Sequence, residues 1–218
     1  MRNSRLYVLI TFIFLLKPVQ SKPIKIGLLR YSGGGDWYSV VDGIANLAKF
    51  CNQEIKTQFD TEYGIVEAGS PEIKNYPFIL MTGHGNIVFN STEVDNVRRY
   101  LLGGGFLFID DDYGMDPYVK PLIKQIFPES ELTEIPFSHA IFHQKFEFSS
   151  GFPKIHEHDN KPPKTYGIFQ NGRLVLVYST ESNISDGWES YSVHKDPEEA
   201  RTKALKMGSN LVQFAFGQ

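Results

Sequence analysis

Apolar positions along this chain follow two patterns. Phe78-Ile79-Leu80-Met81 and Phe106-Leu107-Phe108-Ile109 are short continuous runs, as expected of strands buried on both faces. Between them, Val94, Val97, Tyr100 and Leu101 recur at helical spacing and make one apolar stripe. Asn90 or Ser91 is placed to cap that helix, Glu93 falls in its first turn, and Gly103-Gly104-Gly105 ends it. Residues 76–114 therefore predict a βαβ unit. One of its strands ends in Gly83-His84-Gly85 and the other in Asp110-Asp111-Asp112. Ligands of open α/β sheets bind beyond the carboxyl ends of the strands, so these two endings are the first place to seek function.

The same reading extends in both directions. Residues 24–29 predict a first strand. The glycines Gly33-Gly34-Gly35 follow it, and then a helix with Val40, Val41, Ile44, Leu47, Ala48 and Cys51 on one face, for which Asp36 is the expected N-cap. A second strand falls within 54–69. A helix within 113–131 carries Val119, Leu122, Ile123, Ile126 and Phe127 and stops at Pro128. Residues 132–137 read as a short extended segment and 145–148 as an alternating strand, while 151–163, with His156 and His158, read as a surface loop. Segments 166–170 and 173–179 flank Asn171-Gly172, a strong hairpin signal. Asp196-Pro197-Glu198-Glu199 opens a last helix, with Ala200, Ala204, Leu205, Leu211, Val212 and Ala215 as its stripe and Gly208 as a weak point. The expected fold is a single α/β domain over 22–218. It is a three-layer sandwich of a mostly parallel sheet between helices, with an added antiparallel hairpin.

Composition narrows the setting. Arg2 and Arg5 precede an apolar run at 6–16, and Val19-Gln20-Ser21 suits a cleavage site, so 1–21 reads as a signal peptide cut after Ser21. That run is shorter than the roughly 20 residues of a membrane-spanning helix, and no span is expected in the mature chain. The chain is acidic, with 22 Lys and Arg against 25 Asp and Glu, and it has no basic run. Nucleic acid is therefore not an expected partner. Cys51 is the single cysteine, so no intrachain disulfide can form. Export without disulfides suits the periplasm of a Gram-negative bacterium, or secretion.

The candidate chemistry lies mostly at strand ends. Asp110, Asp111 and Asp112 would repel one another unless a cation or a proton intervenes, and oxygen-rich clusters suit Mg²⁺, Mn²⁺ or Ca²⁺. The competing reading is a turn cap with solvated neighbours. His84 has little packing reason to sit between two glycines, and it reaches the aspartates if the two strands are neighbours. His139 and His143 are four apart, but the aromatics around them break helical register, so each is a candidate cleft residue singly. Asp36 with Trp37, and Asp186 with Trp188, pair an acid with a flat aromatic face, as sugar-binding clefts do and as structural loop clamps also do.

Taken in order, GGGDWYS, TGHG, the VRRYLLGGGFLFIDDD segment, SHAIFH, GRLVLVY and NISDGWE are specific. Together they resemble the bacterial family called domain of unknown function 4159, from about residue 22 to the C-terminus. That resemblance implies a class I glutamine amidotransferase-like, flavodoxin-like fold, and it implies no activity. Amidotransferases place a cysteine at a sharp strand-to-helix elbow. Here Cys51 lies on the apolar stripe of a helix, so thiolate catalysis is not expected. The family's S-H-P-I-Y-H pattern reads with Ala140 and Phe142 here, both histidines kept. The first functional expectation is a binding module at the cell envelope for a small polar ligand, a carbohydrate or an envelope protein. The alternative is a metal- or carboxylate-dependent hydrolase of a carbohydrate or other polar substrate. In it Asp111, His84 and His139 are the catalytic candidates, and Asp110 and Asp112 are the candidate ligands of a divalent cation.

Overall fold

The computed structural model describes residues 23–218; the expected signal peptide at 1–21, with its cut after Ser21, lies outside them. The strands are β1 (Gly27–Arg30), β2 (Gly64–Glu67), β3 (Phe78–His84), β4 (Phe106–Tyr113), β5 (Thr133–Glu134), β6 (Lys164–Gln170) and β7 (Arg173–Thr180). The helices are α1 (Gly43–Glu54), α2 (Ser91–Leu102), α3 (Asp116–Ile126), α4 (Tyr191–His194) and α5 (Glu198–Gly217). The strands form one sheet in the order β2-β1-β3-β4-β7-β6-β5. Neighbours from β2 through β7 are parallel, and β6 and β5 continue the sheet antiparallel. Counted among themselves, the parallel strands run 2-1-3-4-5, the flavodoxin-like doubly wound order.

Alternation along each parallel strand feeds two cores. Leu28, Leu80 and Phe108 pack on one face with Leu47 of α1 and Met207 and Leu211 of α5. Leu29, Met81 and Ile109 pack on the other with Leu101 of α2 and Val119 and Ile123 of α3. Helices thus cover both faces, and the strands read as continuous apolar runs for that reason. Among the described residues, no helix is long and apolar enough to cross a membrane.

Several local expectations match the structure. Asn90 and Glu93 form a reciprocal capping box at the start of α2, with 3.0 Å and 2.7 Å hydrogen bonds. Asn171 and Gly172 both have positive φ, 50° and 80°, as a type I′ hairpin turn requires. The helical stripe expected within 113–131 is buried in α3.

Others are corrected. Asp36 does not cap α1, which starts only at Gly43. The glycine segment instead straps back across the end of β3, where Gly35 N donates to Asn86 O at 3.0 Å and Val88 N donates to Ser32 O at 2.8 Å. Residues 145–148 form no strand. Asn210 of α5 takes the place of a partner strand, accepting from Phe146 N at 3.1 Å and donating to Phe146 O at 2.6 Å. Helix α5 starts one residue after Pro197, which frees the Asp196 side chain, and it runs unbroken through Gly208.

Candidate functional site

The three aspartates that end β4 do not form one cluster, because successive side chains of a strand point to opposite faces. Asp110 follows Phe108 onto the α1/α5 side and Asp111 follows Ile109 onto the α2/α3 side. All three are buried. Asp110 has both oxygens occupied: Ser179 Oγ donates to Oδ1 at 2.5 Å, and Ser185 N and Oγ donate to Oδ2 at 2.7 Å each. It ties β4 to β7 and to the turn beyond β7. Asp111 Oδ1 accepts from Met115 N at 2.9 Å, and its Oδ2 lies 3.2 Å from the Tyr178 hydroxyl. It caps the turn into α3 on the face away from His84. Asp110, the expected metal ligand, thus has both oxygens bonded by protein donors, while Asp111, the expected catalytic residue, also lies in the wall of the cleft described below.

Asp112 is different. The register between β3 and β4 shifts at His84, which pairs with Tyr113, so Asp112 is the extra residue of a β-bulge. Bulges re-aim side chains beside functional sites. The bulge turns this carboxylate to within 3.4 Å of His84 Nδ1. The same Nδ1 lies 3.1 Å and 3.2 Å from the two oxygens of Asp36, which the glycine strap delivers. Gly83 makes this approach possible, since a Cβ there would stand 2.6 Å from the Tyr31 hydroxyl and 3.0 Å from the Asp36 backbone. Nε2 of His84 makes no hydrogen bond among the described residues, and the side chain is 49% exposed.

Beyond Asp112 the network continues into the loop that follows β7. Asn183, in left-handed conformation, donates to Asp112 O at 2.7 Å and to Asp112 Oδ1 at 2.6 Å, and lies 3.1 Å from His158 Nε2. Asp186 opens the short 3-10 turn Asp186–Trp188 and abuts Asp112. Burial, and then the charge of Asp186, hold the Asp112 carboxyl far above the usual carboxylate range. For Asp186 burial also opposes ionisation, but the hydrogen bond from His156 and the charges of His194 and His156 outweigh it and lower its pKa. His156 Nδ1 lies 3.1 Å from Asp186, its Nε2 lies 3.1 Å from both oxygens of Asp196, and His194 Nε2 lies 3.7 Å from Asp186. His156 is raised to about 9, first by the Asp186 hydrogen bond. Donor atoms of His156, Asp186 and His194 all lie within 4.8 Å of one another, close enough to share one ion.

A cleft of about 470 Å³ opens beside this network, with Asp112, Tyr113, His158, Lys161, Lys164 and Tyr166 in its wall. Tyr113 stacks on His158 at 4.6 Å between ring centroids.

The other expected site residues lie elsewhere. Trp188 is fully buried under α5, where its indole donates to Ala204 O at 3.0 Å, so it cannot stack on a ligand. Gly208 permits this, since a Cβ there would stand 2.7 Å from the indole nitrogen. Trp37 is half-buried against both cores, with the Arg30 guanidinium over its ring. His139 caps a short turn by accepting from Ile141 N at 3.2 Å, and it packs near Phe169 and Phe214. His143 lies 2.6 Å from Glu147 and 2.7 Å from Phe137 O. Phe169 pairs with Leu174 at the amino end of β7 and Phe214 lies in the last turns of α5, so His139 sits opposite the strand ends that carry His84 and Asp112. Cys51 is buried and its thiol is pushed up to about 12.

Sequence reasoning missed His156, His158, Asn183, His194 and Asp196. The one signal present was the His-x-His spacing inside 151–163, which composition alone made a surface loop. The protein family described as a domain of unknown function (DUF4159) matches residues 25–216. No curated protein matches the chain.

Proposed function

The chain belongs to the DUF4159 family, and since that description carries no activity we propose, from its geometry, a carboxylate-dependent hydrolase of a polar substrate. One observation carries the reading. His84 is held at Nδ1 by Asp36, with Asp112 beside it, and its Nε2 is free of partners among the described residues. A histidine oriented by a carboxylate at one nitrogen presents the other to a water or substrate proton, which is the arrangement of a general base. The adjoining cleft supports a polar substrate, a carbohydrate among them, because lysines, carboxylates and two tyrosines share its wall. The N-terminal pattern supports work outside the cytoplasm, in the periplasm or after secretion. The strand order supports kinship with amidotransferase-like folds, and the buried Cys51 argues for chemistry other than theirs.

The test is turnover by the full chain on chromogenic glycosides, esters and phosphate esters, repeated with His84→Ala and Asp36→Asn. Loss of about 10²–10⁴-fold in rate with an unchanged melting temperature is expected. A wild-type rate in both variants, or no turnover of any substrate class, overturns the hydrolase. The second reading, a binding module at the envelope for a small polar ligand or partner protein, is favoured by the mixed charge of the cleft wall. Saturable sugar binding without turnover would select it.

A further inference from the structure

We propose that His156, Asp186 and His194 form a mononuclear site for a divalent transition-metal ion, zinc(II) in first place. This site stands whether or not the His84 dyad turns over a substrate. Three separate segments deliver it. The loop 151–163 brings His156, the turn Asp186–Trp188 brings Asp186, and α4 brings His194 in its last position. The first two are stitched together outside the site: Ile155 N donates to Ser182 O at 2.8 Å, and Ser182 Oγ donates to Pro153 O at 2.7 Å.

Spacing fits an ion. Ligand atoms at about 2.0–2.2 Å from a tetrahedral zinc stand about 3.3–3.6 Å from one another. His156 Nδ1 lies 3.1 Å from Asp186 Oδ2 and His194 Nε2 lies 3.7 Å from Asp186 Oδ1, so the two imidazoles flank one carboxylate, and one donor atom from each of the three residues falls within 4.8 Å of the others.

The hydrogen bonding around His156 points the same way. Metal-bound histidines commonly donate their second ring N–H to a carboxylate, and His156 Nε2 meets both oxygens of Asp196 at 3.1 Å. A metal ion at Nδ1 would take the place of the proton that His156 shares with Asp186, leaving the Nε2 N–H on Asp196.

Donor type selects the class of ion. Two imidazoles with one carboxylate suit zinc and its transition-metal neighbours, whereas Mg²⁺ and Ca²⁺ prefer oxygen throughout. Three protein ligands leave a fourth position, and the His156 and His194 side chains, 24% and 32% exposed, let solvent reach it. That is the open pattern of a catalytic rather than a structural zinc site. The neighbouring contact from Asp186 to Asp112 places the ion beside the cleft wall.

The experiment is calorimetric titration of the chelator-stripped full chain, free of any histidine tag, with zinc chloride. It is repeated for His194→Ala, Asp196→Asn and, as a control remote from the site, His143→Ala. One zinc per chain is expected, with binding abolished in His194→Ala, weakened about 10–100-fold in Asp196→Asn and unchanged in His143→Ala. Absent stoichiometric binding, or equal binding in wild type and both site variants, overturns the site, as does loss in the His143→Ala control. Circular dichroism of each metal-free variant checks the fold. If His194→Ala does not fold, Asp196→Asn together with the visible spectrum of the cobalt(II)-loaded wild-type chain decides. Tetrahedral absorption bands support the proposal, and a spectrum of hexa-aquo cobalt refutes it.

Discussion

His156 Nδ1 lies 3.1 Å from Asp186 Oδ2, joining a proline-rich loop to the turn that follows β7. The contact closes a polar chain that runs from Asp36 through His84, Asp112 and Asp186 to His156 and Asp196. Its members come from segments on every side of the β1, β3, β4 and β7 carboxyl ends. Four further predictions follow from residues that hold this arrangement in place or lie behind it.

Asp110 anchors the end of β4 through three donors. In Asp110→Ala, Ser179 and Ser185 lose their acceptor in a fully buried setting. Unmet buried donors cost about 1–3 kcal/mol each, so urea denaturation should show a loss of at least about 2 kcal/mol. A stability equal to wild type would show that β4 and the turn after β7 are held by something else.

The same residue gives a pH dependence. Burial pushes the Asp110 carboxyl up to about 6 from 3.8, against the pull of its serine donors. The folded state therefore keeps its proton where the unfolded chain has released it. The Asp110 contribution to stability is complete below pH 3.8 and is lost as pH rises through about 6. Asp110→Asn, which can still accept from Ser185 and donate to Ser179, should flatten this part of the stability profile between pH 4 and 6. A wild-type slope in that variant would assign the dependence to other groups.

Gly208 packs against the ring of Trp188. A methyl group there would stand 2.7 Å from the indole nitrogen and 2.8 Å from Leu47 Cδ1. Gly208→Ala should improve helix propensity by about 1 kcal/mol, yet overpacking costs about 1–3 kcal/mol. A net fall in melting temperature is expected, and a rise would show that the core yields easily.

Cys51 is buried, with its thiol raised to about 12, and nucleophilic attack needs the thiolate. A disulfide reagent at pH 8 should leave the native chain unmodified and titrate one thiol after denaturation. Fast native-state reaction would contradict the burial and reopen a role for the thiol.

The hydrophobic pattern by itself determined much of the architecture. Strands β3 and β4, helix α2 with its cap, helix α3 and the β6–β7 hairpin depend on neighbours within a few residues. Periodicity, capping and turn chemistry act over that range, so each was readable. His84 and the aspartates were also visible as unusual residues at strand ends. Tertiary structure alone decided what they contact. The pleat separates Asp111 from Asp110 and a bulge aims Asp112 at His84, neither of which a run of three aspartates reveals. Asp36 meets His84 because the strap folds back over β3, and His156 meets Asp186 because a distant loop docks on the end of β7. Trp188 is core rather than cleft because Gly208, on another helix, leaves room for it. Each of these outcomes is a contact between residues far apart in the chain. Strand order, loop closure and side-chain volume set such contacts, and none of these leaves a local period to read.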